Sequence, residues 1–393
     1  MTSNAIKPNP RVMSGSVGAT PILFNLDDRQ LHSLNESGNV CWGLLSRAES
    51  IEHLIALVGD AYGLESGQVA SEVTSLIDQF VSSGLCGPET DAQQPAAERD
   101  VLTISRRRTA EMIGPISALG VPIILNVEDA ELKAELGDVV SPLRSEPDDD
   151  SLEVAAIVEI TVRNDLDLWS VEVGGHLAQR FGSRDAAIRQ VVATINSKPL
   201  EYLDDLVVFH AAAAEFDDGI TIFPGVSNAG KSTLITQLIH RGYGYVTDEA
   251  VAVRPRGHEV VPFPKSITID TGSQELLAPL TGVLPSSSPI DVDPRGVGPG
   301  IISSGGVVKR IVFPEFTVAG PTVLEPLDPF QAFNRLLANS FQFDRAGQTA
   351  FDTIVSLAND VPAFSLTHSG DAAHLEMIEE LAWTGQLTNP SVS

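Results

Sequence analysis

The chain has 393 residues, 43% of them hydrophobic and 20% charged, which suits two or three packed domains and excludes disorder as the main state. Its 52 acidic residues against 25 basic ones give a formal net charge of −27, which argues against nucleic acid and against an anionic membrane surface as partners. Cys41 and Cys86 are the only cysteines, so one disulfide at most can form; with no signal-peptide pattern and no run of 18 apolar residues, a cytoplasmic protein is expected.

Residues 1–20, rich in Ser, Asn, Pro and Gly, read as a disordered lead-in. A small module is expected over residues 21–86. Ile22 to Leu26 and Gln30 to Leu34 predict a hairpin turning at Asp27-Asp28. Asn35 can cap a helix carrying Val40, Trp42, Leu44 and Leu45. Ser50 begins a second helix, with Ile51, Leu54, Ile55 and Val58 at helical spacing. Ser66 or Gly67 precedes a third, which carries Val69, Val73, Leu76, Ile77 and Phe80 and stops at Gly84. Two strands and three helices make a winged-helix-like α+β module. Residues 87–99 are polar with Pro and Gly, and read as a linker.

Residues 100–200 read as mixed α/β with no chemical motif. Strands are expected over Val121 to Leu125 and Val154 to Val162, and a helix over Ala186 to Ile195. The basic run Arg106-Arg107-Arg108 and the acidic run Glu146, Asp148, Asp149, Asp150 and Glu153 read as solvated faces. Residues 201–393 read as the catalytic part.

Its sharpest signal is Gly225-Val226-Ser227-Asn228-Ala229-Gly230-Lys231-Ser232, which fits G-x-x-x-x-G-K-[ST]. The glycines let backbone N–H groups wrap phosphate oxygens, the lysine reaches the β- and γ-phosphates, and the serine hydroxyl faces Mg²⁺. The context agrees. Gly219 to Phe223 reads as a buried strand, and Ser232 to Arg241 as a helix with Leu234, Ile235, Leu238 and Ile239 at its apolar positions, ended by Gly242. The next strand, Tyr243 to Val246, is followed by Asp248 and Glu249. A crossover of this length makes the two strands parallel and brings Asp248 beside the loop, although it lies 17 residues past Lys231.

Together, Phe209-His210-Ala211-Ala212, the phosphate loop through Thr233, His240-Arg241-Gly242-Tyr243 and Val246-Thr247-Asp248-Glu249 resemble the HPr kinase/phosphorylase-like fold. His210 stands 21 residues before Lys231, close to the family spacing. Phe263-Pro264-Lys265 resembles the family's Phe-Pro-basic step. Val312-Phe313-Pro314 and the helical tail from Asp328 also fit. Asp293-Pro294-Arg295-Gly296-Val297-Gly298 matches its acid-x-Arg-Gly-x-Gly stretch weakly, and reads equally as a Gly/Pro loop. The module over Pro21 to Leu85 resembles PqqD-like proteins, which bind the leader segment of ribosomally made peptides. The fusion is similar to kinases of peptide natural-product clusters.

The resemblance implies an α/β P-loop kinase domain of HPr-kinase type that uses ATP and Mg²⁺ to phosphorylate a Ser or Thr hydroxyl of a precursor peptide. Gly225, Ser227, Asn228, Ala229, Gly230, Lys231, Ser232 and Thr233 would hold the nucleotide, with Lys265 and Arg295 as further phosphate contacts. Ser232, Asp248 and Asp293 would face the metal. Asp248 would be the base, with Glu249 beside it, and His210 would bond an acid or phosphate. The family's regulatory kinases carry two Asp where this chain has Asp248-Glu249, so the choice of base stays open, as do ATP against GTP and a homo-oligomer. The HPr protein itself is not the expected substrate, because the N-terminal module differs. Two other readings stand beside this one: a kinase of a sugar or amino acid, and a nucleotide-dependent scaffold that delivers the peptide without phosphorylating it.

Overall fold

The computed structural model describes residues 6–88, 104–107, 111–143, 151–154, 158–165, 168–203, 205–227, 229–341, 343–370 and 372–384. Residues 104–107, 151–154 and 344–345 are described by backbone alone. Asn228, most of the linker read over 87–99, Arg108, and the acidic residues 146 and 148–150 lie outside the described residues. The chain divides into two compact units, residues 1–98 and 99–393. Among the described residues no helix is long and apolar enough to cross a membrane. Cys41 and Cys86 are both buried and free.

The first unit runs β1 (Ile6–Pro8), β2 (Val12–Val17), β3 (Thr20–Asn25), β4 (Gln30–Ser33), α1 (Glu36–Leu45), α2 (Ile51–Tyr62), α3 (Ser66–Ser82) and β5 (Cys86–Pro88). Strands β2, β3 and β4 form an antiparallel meander, and β1 pairs with β5. The lead-in expected over residues 1–20 is thus corrected from Ile6 onward. Polar composition hid the pattern: Met13 and Val17, four apart on a strand, share one face and are buried, while Ser14 and Ser16 between them are exposed. The helix starts follow from their caps. Asn35 accepts from the Gly38 N–H at 2.8 Å and Ser50 from the His53 N–H at 3.1 Å. The third helix starts from Glu65, which forms a capping box with Gln68. Leu23, Leu45, Leu54, Val73, Ile77 and Phe80 pack in the core, with Trp42 edge-on to Phe80.

The second unit opens with β6 (Ile104–Arg107), β7 (Met112–Ala118), β8 (Val121–Val127), α4 (Ala130–Val139), β9 (Ser151–Val154), β10 (Val158–Asp165), β11 (Leu168–Val173), β12 (His176–Phe181) and α5 (Arg184–Ser197). Five of these strands form a sheet in the order β12-β11-β10-β8-β7, parallel only between β8 and β10. The strand expected over Val154 to Val162 is displaced: Val154 ends β9 and the next strand starts at Val158.

There follow β13 (Val207–Phe216), β14 (Gly219–Pro224), α6 (Lys231–His240), β15 (Gly244–Thr247), β16 (Ala250–Val253), β17 (Glu259–Val261), β18 (Ile267–Ile269), α7 (Thr271–Thr281) and β19 (Ile290–Val292). The chain ends with β20 (Gly306–Phe316), β21 (Val323–Leu327), α8 (Pro329–Ala338), β22 (Ser340–Phe341), α9 (Phe343–Asp360, broken at Gly347), β23 (Ala363–His368) and α10 (Ala373–Thr384). Strand β13 is antiparallel to β14 on one side and to β15 and β16 on the other. So β14 and β15 run parallel to each other, with β13 between them. The four alanines Ala211 to Ala214, all fully buried, let neighbours approach β13 closely from both faces. Strand β14 also pairs in parallel with β20, and β20 in parallel with β23. Because β16 joins β17 and β17 joins β20, the strands β13, β16, β17, β20 and β14 form a closed circuit. The parallel strands β15, β14, β20 and β23 all end at one edge.

Candidate functional site

That edge carries the loop from Gly225 to Gly230. It leaves β14 at Gly225, whose N–H donates to the His210 carbonyl at 3.1 Å, and enters α6 at Lys231. Gly230 takes φ 86°, a left-handed value that glycine adopts without a Cβ penalty. A Cβ there would lie in van der Waals contact with His368, 3.4 Å from Cε1. The Lys231 ammonium curls back to the carbonyls of Gly225 at 2.7 Å and Val226 at 2.9 Å. Burial pushes its pKa down to about 8, against the opposing pull of Asp248 and Glu249.

The end of β15 supplies the acids. Asp248 is 4% exposed and accepts from the Ser232 hydroxyl through Oδ2 at 3.2 Å. Its other oxygen, Oδ1, lies 2.7 Å from Lys265 Nζ and accepts from the Tyr245 hydroxyl at 3.1 Å. Lys265 Nζ also stands 3.4 Å from Glu249 Oε2 and donates to the Ser266 carbonyl. Burial works against the Lys265 charge, but the two carboxylates outweigh it and hold its pKa above the ordinary lysine value. Tyr245 is fully buried, and desolvation with Asp248 nearby drives its phenol well above its usual range. Glu249, the next residue, is half exposed at its side chain and accepts from Asn196 Nδ2 at 3.0 Å.

Several expected residues therefore meet: Gly225, Gly230, Lys231, Ser232, Asp248, Glu249 and Lys265 share one site. Lys265, expected as a phosphate contact, faces the two carboxylates. His210 lies at the same edge. Burial and then Lys231 lower its imidazole pKa, with Glu249 opposing, and its ring packs on Phe341. Ala229 is buried in the loop and Ser227 is exposed on it. Thr233 points its hydroxyl at Ser273 at 2.9 Å. Asp293 and Arg295 pair with one another, and Arg295 also reaches Ser141. Among the described contacts none joins either residue to Lys231, Ser232 or Asp248. Sequence reading missed Tyr245, Asn196 and His368. A strand tyrosine that must bury its hydroxyl three residues before an acid was the one available signal.

In the first unit a cavity of about 400 Å³ lies among α1, α2 and α3, lined by Asn35, Cys41, Val58, Tyr62, Val69 and Val73 among others. Residues 22–85 of that unit match the family model described as Coenzyme PQQ synthesis protein D (PqqD). The N-terminal unit carries a PqqD domain. The solved structure of TbiB1 in complex with the TbiA(beta) leader peptide is 18% identical, covering 22% of this chain and 99% of that chain, with a TM-score of 0.20. The Hpr(Ser) kinase/phosphatase from Coxiella burnetii is 17% identical, covering 45% of this chain and 89% of that chain, with a TM-score of 0.27. No curated protein sequence matches the chain. The match covers 64 residues of the first unit, and the residues around Lys231 and Asp248 lie in the second.

Proposed function

We propose that the chain is an ATP-dependent kinase that transfers the γ-phosphate to a Ser or Thr hydroxyl of a ribosomally made precursor peptide, held by its leader on the PqqD domain. One observation carries the reading. The hydroxyl that follows the loop lysine is hydrogen-bonded to a carboxylate brought in by a parallel strand, Ser232 to Asp248 at 3.2 Å.

The donors suit Mg²⁺, since Ser232 and Asp248 offer hard oxygens only. Among the described residues no group of three or more His, Cys, Asp or Glu forms a metal cage. Such a site fits an ion held by one or two protein oxygens and the substrate's own phosphates. When bound, Mg²⁺ supplies charge neutralisation on the β- and γ-phosphate oxygens. The chain's own groups do the rest. Lys231 exchanges its two carbonyl partners for phosphate oxygens. Lys265 and Tyr245 hold Oδ1 of Asp248, so Oδ2 stays turned towards Ser232. The sequence favoured Asp248 as the base, but its burial and its filled Oδ1 favour Glu249, which is open to an incoming hydroxyl. In this reading Glu249 takes the acceptor proton, steadied by Asn196.

The test is mass spectrometry of a precursor peptide after incubation with the full chain, ATP and Mg²⁺. One added phosphate is expected, and none with Lys231→Ala. Glu249→Gln should keep nucleotide binding and lose transfer, whereas Asp248→Asn should lose Mg²⁺-dependent binding. Equal transfer by Lys231→Ala would end the proposal. ATP hydrolysis without a phosphorylated peptide would favour the scaffold, and phosphate on a sugar or amino acid alone the small-molecule kinase.

A further inference from the structure

The phosphate loop has two flanks along the sheet edge. On one, β15 delivers Asp248 and Glu249. On the other, β20 ends at Phe316 and β23 at His368. Phe316 is 49% exposed, although β20 is buried from Arg310 to Pro314. Its Cβ lies 3.9 Å from the point where a Cβ on Gly230 would stand, so the side chain starts against the residue that precedes Lys231. The ring is edge-on to the buried His368, at 5.8 Å and 72°. Gly370 borders the ring too: a Cβ there would sit 3.6 Å from Phe316 Cε2. Val226 in the phosphate loop is 69% exposed and Val318, just beyond β20, is 93% exposed.

We propose that Phe316, backed by His368, is the platform on which the base of the bound nucleotide stacks. This rests on the nucleotide reading of the phosphate loop given above. The occupant follows from the layout of the edge. Phosphates sit at the loop and the N-terminus of α6. The Asp248 flank is taken by the acids, their lysine and the acceptor. The nucleoside therefore leaves the loop on the β20–β23 flank, where the half-exposed aromatic ring lies. A planar base covers apolar surface there that water otherwise covers, and every base has a π-face to offer. Stacking of this kind is tolerant of base identity, so adenine and guanine nucleotides should both bind.

The experiment is calorimetric titration of the full chain with ADP, GDP and inorganic tripolyphosphate, each with Mg²⁺, for the natural protein, Phe316→Ala and Phe316→Trp. Phe316→Ala should weaken ADP and GDP by about tenfold or more while tripolyphosphate stays within about twofold, and Phe316→Trp should retain both nucleotides. The unchanged tripolyphosphate shows that the variant is folded with its loop intact. The platform is overturned if Phe316→Ala leaves ADP unchanged, or weakens tripolyphosphate as much as ADP. Binding of ADP without GDP overturns the tolerance of base identity. If the natural protein binds neither ADP nor tripolyphosphate, the nucleotide reading itself falls.

Discussion

Replacing Lys265 by Met tests the electrostatics of the site. The side chains of Lys265 and Asp248 are 5% and 3% exposed and meet at 2.7 Å. Taking away the ammonium leaves the Asp248 carboxylate buried with two hydroxyl partners, Ser232 and Tyr245, and no cation in contact, Lys231 acting on it only from a distance. Breaking one side of a buried pair costs about 3–5 kcal/mol, a large part of the roughly 5–15 kcal/mol that holds a typical domain together. Asp248→Asn removes the stranded charge, so the double variant should recover much of the loss, with a coupling of about 2 kcal/mol or more. The exposed pair Lys198–Glu201, at 2.6 Å, is the control, and Lys198→Met should cost no more than about 1 kcal/mol. Urea unfolding at neutral pH of both single variants, the double variant and the control supplies the numbers. If the two single effects add to within about 0.5 kcal/mol, the pair is not coupled and the clamp on Asp248 is wrong.

Tyr245→Phe keeps the buried ring and removes the hydroxyl that Asp248 Oδ1 at 3.1 Å shares with the Lys265 carbonyl at 3.0 Å. Loss of a hydrogen bond to a charged group, about 1.5–3 kcal/mol, should appear as weaker Mg²⁺-dependent nucleotide binding; an unchanged affinity for ADP with Mg²⁺ would refute the orienting role. Lys231, with its pKa near 8, must be charged to hold phosphate. Bound phosphate favours the charged form, so binding takes up a proton above that pH, and tripolyphosphate affinity without metal should fall by up to about tenfold per pH unit. Lys231→Arg stays charged and should flatten the profile; equal slopes in both proteins would contradict this. Removing residues 1–86 should spare nucleotide binding while phosphorylation of the precursor peptide slows, a comparison read by calorimetry and by phosphate incorporation.

Local signals were the legible ones. Asn35 and Ser50 announced their helices because a cap is a contact between near neighbours, and Gly225 to Ser232 announced its loop because spacing alone defines it. The parallel pair β14 and β15 followed from the length of the crossover, but nothing nearby in the sequence showed that β13 is inserted between them. Lys265 illustrates the limit. Its neighbours mark it as a basic residue after a strand, and only the folding of β15 against the chain before β18 turns it towards Asp248. Asn196 reaches Glu249 from a helix in a region without motifs, a meeting that tertiary packing alone creates. Strand β2 was hidden for a different reason: its two inward residues are too sparse to outweigh the Ser and Gly around them in any composition count.

The closed circuit of β13, β16, β17, β20 and β14 has a consequence for how the protein breathes. Strand β14, which leads into the loop at Gly225, is paired on both flanks, so its amides cannot exchange with solvent by fraying from an edge. Hydrogen exchange at Ile220 to Phe223 should then be as slow as global opening of the second unit, and ligand binding should protect the loop without changing the strand.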